Sequence, residues 1–564
     1  MKNYHGNILQ YSLRIISVLN ILIILSAYTN ASEKNVVEVP MRDGVLLSTD
    51  LYFPESSNGP WPLIVIRTPN YKERYYKYGE YFSFHGYAVA IQDVRGQNKS
   101  EGRFRIWMHD KEDGYDAIEW LAEQDWCDGK VGMTGGSYNG WAQLAAATTK
   151  PPHLLTIAAI VTTGDPSIHH VYPFGVYALT QQLNVISIFH TKFGTGGDRY
   201  KLARGFQNNL MSLPVIDLDK KLFGMECPWW REHIKHKPFD PYWEKADVLH
   251  ELESINIPVF IIGGWFDFGG IGTKVAYKHL TQSKAMDVKL LIGPWMHQTI
   301  GKSQSLGYDF GPLAAADYMQ ELLDWFDYHL KGVENGVVEE PLVKIFAVDS
   351  NIWLEGDTYP LRESEELKLF FHTSGNLEFS PPSDDSFSTY TYDPSDPTPS
   401  LWYDNLPDHN TIKDTRKDML FFKATTFEKD IQVVGPISAT LYASTSAEDT
   451  DWFVYYMLLD EHDELQSLGR GLIRARYQDG RQDNLLKPEE IYRFDLDLWH
   501  SSFRIKKGFR FEVIVCSSAF PHYSRNLNTG GDNEVDSIYQ PAKQKIFHSR
   551  EYPSSISITT VSAF

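Results

Sequence analysis

Cysteine is scarce in this chain, with three residues among 564, namely Cys127, Cys227 and Cys516. They lie far apart, their number is odd, and none has the spacing of a zinc site or a thiol protease. This excludes a disulfide framework as the basis of the fold, and a chain of this length buries enough core without one. We therefore assign all three cysteines structural roles.

Long runs of like charge are also missing, although the formal net charge is −20. Such an acidic surface repels phosphate backbones, which excludes nucleic acid as a partner. The segment "GGIG" (269–272) lacks the third glycine of a dinucleotide loop, so we expect no cofactor. His169-His170 and the pair His233 and His236 lack a carboxylate or cysteine that would complete a set of ligands, so we expect no metal.

Hydrophobic runs long enough to span a membrane are absent as well. The longest apolar stretch, residues 15–28, has about 14 residues and follows Lys2 and Arg14. A small residue, Ala31, follows it, which is typical of a secretory signal peptide. We expect cleavage after residues 1–31, export to the periplasm or the medium, and no stable membrane span afterwards; an uncleaved anchor is the alternative.

The apolar patterns that are present predict an α/β core. Four continuous apolar runs, 62–69, 87–96, 258–267 and 288–297, are typical of parallel strands that are covered on both faces. Helical periodicity between them indicates a doubly wound sheet in two parts, 32–164 and 251–355. Residues 165–250 are aromatic and helical and predict a lid. Period-two alternation predicts an all-β jelly-roll domain over 356–564.

The stretch "GMTGGSYNGWAQLAA" (132–146) places Ser137 between a strand and a helix. The strict hydrolase motif G-x-S-x-G needs a glycine where Asn139 stands, so this stretch alone leaves a catalytic serine and a plain tight turn open. Asp267 and His297 each directly follow a late apolar run, in the chain order Ser, Asp, His of an α/β-hydrolase triad. We therefore predict Ser137 as nucleophile, Asp267 as acid and His297 as base.

The chain resembles the α/β-hydrolase family of X-prolyl dipeptidyl-peptidases, bacterial cocaine esterase, α-amino-acid ester hydrolases and β-lactam acylases. The motifs "MRDGVLLSTDLYFP", "RTPNYK", "GGSYNG", "GGWFD" and "GPWMH" occur in the family's order. The resemblance implies the elbow G-x-S-Y-x-G, which residues 135–140 satisfy, and the same triad. It also implies a jelly-roll domain at the C-terminus.

The same resemblance implies two donors for the oxyanion. One is the backbone N–H of Tyr138, the residue after the nucleophile. The other is a tyrosine in the family motif R-T-P-Y, but here the order is Pro69-Asn70-Tyr71, so that the tyrosine is displaced by one residue. We favour Tyr71 as the second donor, with Asn70 as the alternative.

Three functions stay open on the sequence. The first is an exported serine hydrolase that cleaves small ester or amide substrates through an acyl-enzyme. The second is an X-Pro dipeptidyl-peptidase, and the third is a non-catalytic binding protein on a hydrolase fold. In the α-amino-acid ester hydrolases that the chain resembles, carboxylates hold the substrate ammonium, and part of this cluster lies just after the triad acid. Here the uncharged Phe268-Gly269-Gly270 follows Asp267, so we expect a neutral or apolar acyl donor. The oligomeric state is not indicated.

Overall fold

The computed structural model describes residues 34–55, 58–189, 209–283, 287–305, 307–401, 413–463 and 465–561. Two large β-sheets organise these residues. The predicted signal peptide, 1–31, lies outside the described residues, so export stays a prediction. Within the described part of the chain, no helix combines the length and the apolar character needed to cross a membrane.

The first sheet has ten strands in the spatial order β1-β2-β4-β3-β5-β6-β7-β8-β11-β12. The strands from β4 to β11 in this order run parallel, and antiparallel strands close both edges. The bounds are β1 Lys34–Pro40, β2 Leu46–Tyr52, β3 Trp61–Thr68, β4 Ala88–Asp93, β5 Cys127–Gly136, β6 Leu154–Ile160, β7 Val259–Gly264, β8 Val288–Gly293, β11 Val343–Ala347 and β12 Ile352–Gly356. The short strands β9 Gln304–Ser305 and β10 Tyr308–Asp309 form a separate ribbon.

Burial on both faces explains the continuous apolar runs. In β3, Leu63 and Val65 belong to one core cluster, and Ile64 and Ile66 belong to another, on the opposite face of the sheet. Such strands cannot alternate with polar residues, because neither face meets water. The doubly wound α/β core predicted from the four apolar runs is thus confirmed, and the predicted helix between them is α2.

Nine α-helices are described. Their bounds are α1 Tyr76–Phe84, α2 Asp110–Ala122, α3 Tyr138–Thr148, α4 Leu179–Phe189, α5 Leu218–Phe223, α6 Pro228–Lys235, α7 Leu249–Leu252, α8 Gly270–Leu280 and α9 Tyr318–Phe326. Helices α4 to α6 lie within the segment 165–250 between β6 and β7, and α7 begins at its end. Its helical character is as predicted from the sequence, and its action as a lid stays a prediction.

The second sheet has eleven strands and contains the C-terminal part of the chain. The bounds are β13 Ser364–His372, β14 Asn376–Glu378, β15 Phe387–Tyr392, β16 Leu420–Ala424, β17 Ile431–Thr445, β18 Asp451–Leu459, β19 Leu465–Arg474, β20 Tyr492–Ile505, β21 Arg510–Cys516, β22 Ala542–Phe547 and β23 Ser555–Val561. An apolar core of its own, which includes Leu441, Val454 and Ile558, supports a separate β-rich unit. The exact domain boundaries and the jelly-roll topology stay predictions.

Candidate active site

Ser137 lies on a strained turn between β5 and α3. Its φ of 62° and ψ of −124° put a residue with a side chain in a region that L-amino acids seldom adopt. The backbone N–H of Ser137 donates to Ile160 O on the neighbouring strand β6 at 2.9 Å. Its own carbonyl accepts from Gly140 and Trp141 as α3 begins. This strand–turn–helix geometry is that of a nucleophile elbow.

The positions of the glycines explain the departure from the strict motif. A Cβ on Gly140 would lie 2.7 Å from Thr162 Cβ and 3.1 Å from Ile160 O. Gly135 has a φ of 133°, and a Cβ there would lie 2.7 Å from Asn139 Cβ. The close approach to β6 thus falls at residue 140, and residue 139 can carry a side chain.

Asp267 and His297 form a hydrogen-bonded pair beyond the ends of β7 and β8. His297 Nδ1 lies 2.7 Å from Asp267 Oδ2, and Gly269 N donates to Asp267 Oδ1 at 2.8 Å. Asp267 is 1% exposed, so both oxygens of its carboxylate are held in the protein interior. An Nδ1–H that donates to Asp267 leaves Nε2 of His297 able to accept the proton of a serine.

The sheet places all three predicted triad residues on one edge. Strands β5, β6, β7 and β8 are consecutive parallel neighbours, and Ser137, Asp267 and His297 follow the carboxyl ends of the first, third and fourth. Among the hydrogen bonds of the described residues there is none between Ser137 Oγ and His297 Nε2. In substrate-free enzymes such bonds are often long and tighten only with substrate. The assignment of Ser137, Asp267 and His297 to catalysis stays a prediction.

Tyr138, the predicted first oxyanion donor, is fixed through its side chain. It is the first residue of α3, and its hydroxyl donates to Asp110 Oδ2 at 2.6 Å. Asp110 in turn pairs with the buried Arg67, whose Nη1 lies 3.1 Å from Oδ1. Burial raises the pKa of the Tyr138 hydroxyl well above its usual range, and the neighbouring Asp110 adds to the effect, so the group stays a donor.

Asn70 and Tyr71 follow β3, the parallel neighbour of β5, and so lie on the same edge of the sheet. Tyr71 has a φ of 53°, its ring lies 5.4 Å from the Arg74 guanidinium carbon, and 36% of the residue is exposed. The backbone N–H of Asn70 donates to Thr68 Oγ1 at 3.1 Å. Because the chain is not extended at residue 71, a shift of one residue does not reverse the side chain here. The choice between the two donors stays a prediction.

Three aromatic residues form a row that begins beside His297, and of these the sequence indicated only Phe268. The Phe268 ring lies 4.5 Å from the His297 ring, and the His170 ring is perpendicular to Phe268 at 5.7 Å. Trp107 lies 6.2 Å from His170. Burial, together with the neighbouring His297, lowers the pKa of His170 to about 4, so this ring is neutral at neutral pH.

His170 comes from the segment 165–250, and the hydrogen bond of 2.6 Å between Gln181 Nε2 and its Nδ1 orients the ring. In the sequence, His169-His170 lacked a further metal ligand, and no role in the active site was predicted for either residue. The position of this segment in the chain could have indicated the role of His170, because an insertion over the carboxyl ends of the strands brings side chains to the site.

The other candidate residues have structural contacts. Asp93 Oδ1, at the end of β4, accepts from Lys72 N and Asn98 Nδ2, and Arg95 pairs with Asp113 at 2.6 Å, so that these two residues stabilise the turn after β4.

His233 and His236 contact different residues. His233 stacks on Trp107, with ring centres 5.9 Å apart, whereas His236 Nδ1 lies 3.2 Å from Asp240 Oδ1. All three cysteines are free and buried.

Comparison with known proteins identifies two family regions. Residues 43–299 match the model of the X-Pro dipeptidyl-peptidase (S15 family), and residues 335–557 match the X-Pro dipeptidyl-peptidase C-terminal non-catalytic domain. The chain is 31% identical to "Cocaine esterase" of Rhodococcus sp. (strain MB1 Bresler), over 93% of this chain and 98% of that protein.

Two further relatives are more distant. A putative Xaa-Pro dipeptidyl-peptidase of Bacillus anthracis is 25% identical over 48% of this chain and 42% of its own length. A solved α-amino-acid ester hydrolase superposes with a TM-score of 0.79 at 23% identity, covering 94% of this chain and 97% of that one, which shows a common fold.

Proposed function

The chain belongs to the X-Pro dipeptidyl-peptidase (S15) family and is a serine hydrolase, and from that premise we propose that it is an exported esterase for small substrates with neutral, apolar acyl groups. The reaction would run through an acyl-enzyme on Ser137. The family membership speaks against a non-catalytic binding protein. Cocaine esterase matches this chain over nearly the full length of both proteins, which supports ester cleavage in preference to peptide cleavage.

The observation that carries the substrate class is that the rings of Phe268 and His170, beside His297, carry no charge. Phe268 covers one side of the imidazole at 4.5 Å, and Gly269 and Gly270, which follow it, bring no charge. His170 is neutral because its pKa is lowered to about 4. A substrate ammonium near these residues would lose its hydration without gaining a counter-charge, which disfavours it.

In the proposed reaction, Ser137 Oγ attacks the ester carbonyl carbon and gives its proton to His297 Nε2. Asp267 holds the imidazole by its Nδ1–H and stabilises the imidazolium. The backbone N–H of Tyr138 and the Tyr71 hydroxyl would donate to the negative oxygen of the tetrahedral intermediate. His297 then protonates the leaving alkoxide, and water hydrolyses the acyl-enzyme by the same steps.

A fluorophosphonate probe and a substrate panel test this proposal. We expect the probe to label the full chain and not Ser137→Ala, and we expect methyl phenylacetate to be cleaved at least as fast as the methyl ester of phenylglycine. Faster cleavage of the amino ester would contradict the neutral acyl site.

The second candidate is an X-Pro dipeptidyl-peptidase, which the match of residues 43–299 to that family model favours. Gly-Pro p-nitroanilide distinguishes the two. Turnover of this anilide at a higher kcat/KM than that of p-nitrophenyl butyrate would establish the peptidase and replace the esterase proposal.

A further inference from the structure

Two histidines and one glutamate meet on the surface away from the triad. His250 lies in α7, Glu253 directly follows this helix, and His279 lies in the last turn of α8. One donor atom from each side chain lies within 4.8 Å of the others, and this is the one such group that the described residues contain. No sequence pattern indicates this group, because 25 residues that include β7 separate Glu253 from His279.

The arrangement of the two imidazoles is close to that of a zinc site. Their ring centres lie 5.4 Å apart with the rings perpendicular. With Zn–N bonds of about 2.05 Å and a tetrahedral angle, the centres of two ligating rings lie about 5.2 Å apart. His279 Nδ1 already lies 2.9 Å from Glu253 Oε1. Donor atoms around tetrahedral zinc are about 3.4 Å apart, so binding requires side-chain rotations that change the donor separations by about 0.5 Å to at most about 1.4 Å.

We propose that His250, Glu253 and His279 bind one Zn²⁺ ion, with water as the fourth ligand. Two imidazole nitrogens and a carboxylate form a donor set that suits zinc and disfavours Mg²⁺ and Ca²⁺, which prefer oxygen ligands. The ion takes the place of the hydrogen bond between His279 Nδ1 and Glu253, and the neutral imidazole then carries its proton on Nε2. The neighbouring Glu251 does not complete the set, because it pairs with Lys111 at 2.5 Å.

The ion would join two helices on either side of one strand. Helix α7 precedes β7, and α8 follows Asp267, so the proposed site ties together the elements that flank the strand leading to the triad acid. The proposal does not depend on the substrate class, because none of its three ligands belongs to the triad or to its aromatic surroundings.

The chain offers a matched control. His236 pairs with Asp240 at 3.2 Å, which is also a histidine–carboxylate pair, in the turn that follows α6, but no third donor among the described residues completes it. A histidine–carboxylate pair alone would therefore behave alike at both places, and a zinc site would not.

Isothermal titration of the tag-free, chelator-treated full chain with ZnCl₂ tests the proposal, with MgCl₂ as a second titrant. We expect one equivalent of Zn²⁺ and no comparable Mg²⁺ binding. His250→Ala, Glu253→Gln and His279→Asn should each weaken Zn²⁺ binding by at least about tenfold, since a ligand is lost. His236→Ala should leave it unchanged. Co²⁺ should give the intense visible bands of a four-coordinate complex in the unmodified chain and in His236→Ala, and not in the three ligand variants.

Absence of saturable zinc binding would overturn the proposal, as would zinc binding that His250→Ala and His279→Asn leave intact. His250 and Glu253 are exposed, so their substitution is compatible with folding. If His279→Asn fails to fold, the other two variants decide the question.

Discussion

Replacing Asp267 by Asn is the sharpest perturbation of the proposed triad. The substitution keeps the size of the side chain and removes its charge. Asp267 uses one oxygen for Gly269 N–H at 2.8 Å and the other for His297 Nδ1 at 2.7 Å. An asparagine has only one oxygen to offer, and these two groups compete for it.

The competition fixes the tautomer of His297. If the asparagine oxygen accepts from Gly269 N–H, its NH₂ group faces Nδ1, which must then be unprotonated, and Nε2 carries the proton. In that tautomer His297 cannot take the proton of Ser137. The reverse orientation sets two N–H donors against each other in a site that is 1% exposed, at a cost of about 1–3 kcal/mol. The productive tautomer is then populated about 5- to 150-fold less.

Loss of the carboxylate charge adds to this effect, because the imidazolium of the transition state loses its counter-charge. Together we expect kcat to fall by about 10⁴, or about 5.5 kcal/mol in the activation free energy. Steady-state hydrolysis of p-nitrophenyl butyrate measures kcat, and circular dichroism with a thermal melt verifies the fold.

Asp309→Asn is the matched control. Asp309 Oδ1 also accepts from the backbone N–H two residues later, Gly311, at 3.0 Å, but this aspartate has no histidine partner and lies in an exposed ribbon. We expect its kcat to be unchanged. If Asp267→Asn keeps kcat within tenfold of the unmodified chain, Asp267 is not the triad acid and the reasoning above is wrong.

Three further expectations follow from the same contacts. Tyr71→Phe should lower kcat by about 10²–10³ with KM little changed, and Asn70→Ala should do much less; the opposite result in steady-state kinetics would assign the second oxyanion donor to Asn70. Gly140→Ala should reduce both kcat and the melting temperature, because the new Cβ would lie 2.7 Å from Thr162 Cβ. Gly307 has a positive φ but no atom within 4 Å of such a Cβ, so Gly307→Ala should lower only the melting temperature. Equal kcat values for the two variants would refute the crowding argument. His233 is 1% exposed, burial lowers its pKa to about 3, and neither ring nitrogen has a hydrogen-bond partner among the described residues. In the unfolded chain His233 becomes protonated near pH 6.5, whereas in the folded chain it stays neutral. The folded state therefore loses stability as the pH falls below 6.5. The stability of His233→Phe relative to the unmodified chain should therefore rise by about 2 kcal/mol between pH 7 and pH 5 in urea unfolding, and a difference independent of pH would contradict it.

The α/β core could be predicted because its signal is local. Each parallel strand is buried on both faces, so its apolar run is uninterrupted, and the residue that follows the run lies at the functional edge of the sheet. Asp267 and His297 were found in this way, before any contact between them was known. Strand order and strand ends alone predict that these two side chains, which are joined by a hydrogen bond of 2.7 Å, lie close together.

The aromatic surroundings of His297 could not be predicted, because their signal is not local. Trp107 lies in the loop before α2 and His170 lies in a short π-helical turn, Ser167–Val171. Two strands and two helices separate these two residues, and no periodicity links them. Only the return of the segment 165–250 over the edge of the sheet brings His170 next to Phe268. The group of His250, Glu253 and His279 escaped notice for the same reason.

The choice between Asn70 and Tyr71 as the second oxyanion donor cannot be predicted from a motif that is displaced by one residue. What fixes the turn is the next residue, Lys72, which is fully buried. Its Nζ lies 3.0 Å from Asp50 Oδ1 and 2.7 Å from Ser48 Oγ, and its backbone N–H donates to Asp93 at 2.9 Å. A lysine held on both its backbone and its ammonium group dictates the dihedral angles just before it, and Tyr71 accordingly adopts a positive φ. A buried lysine costs free energy unless it is paired, so the ion pair with a strand more than twenty residues earlier decides where the tyrosine lies.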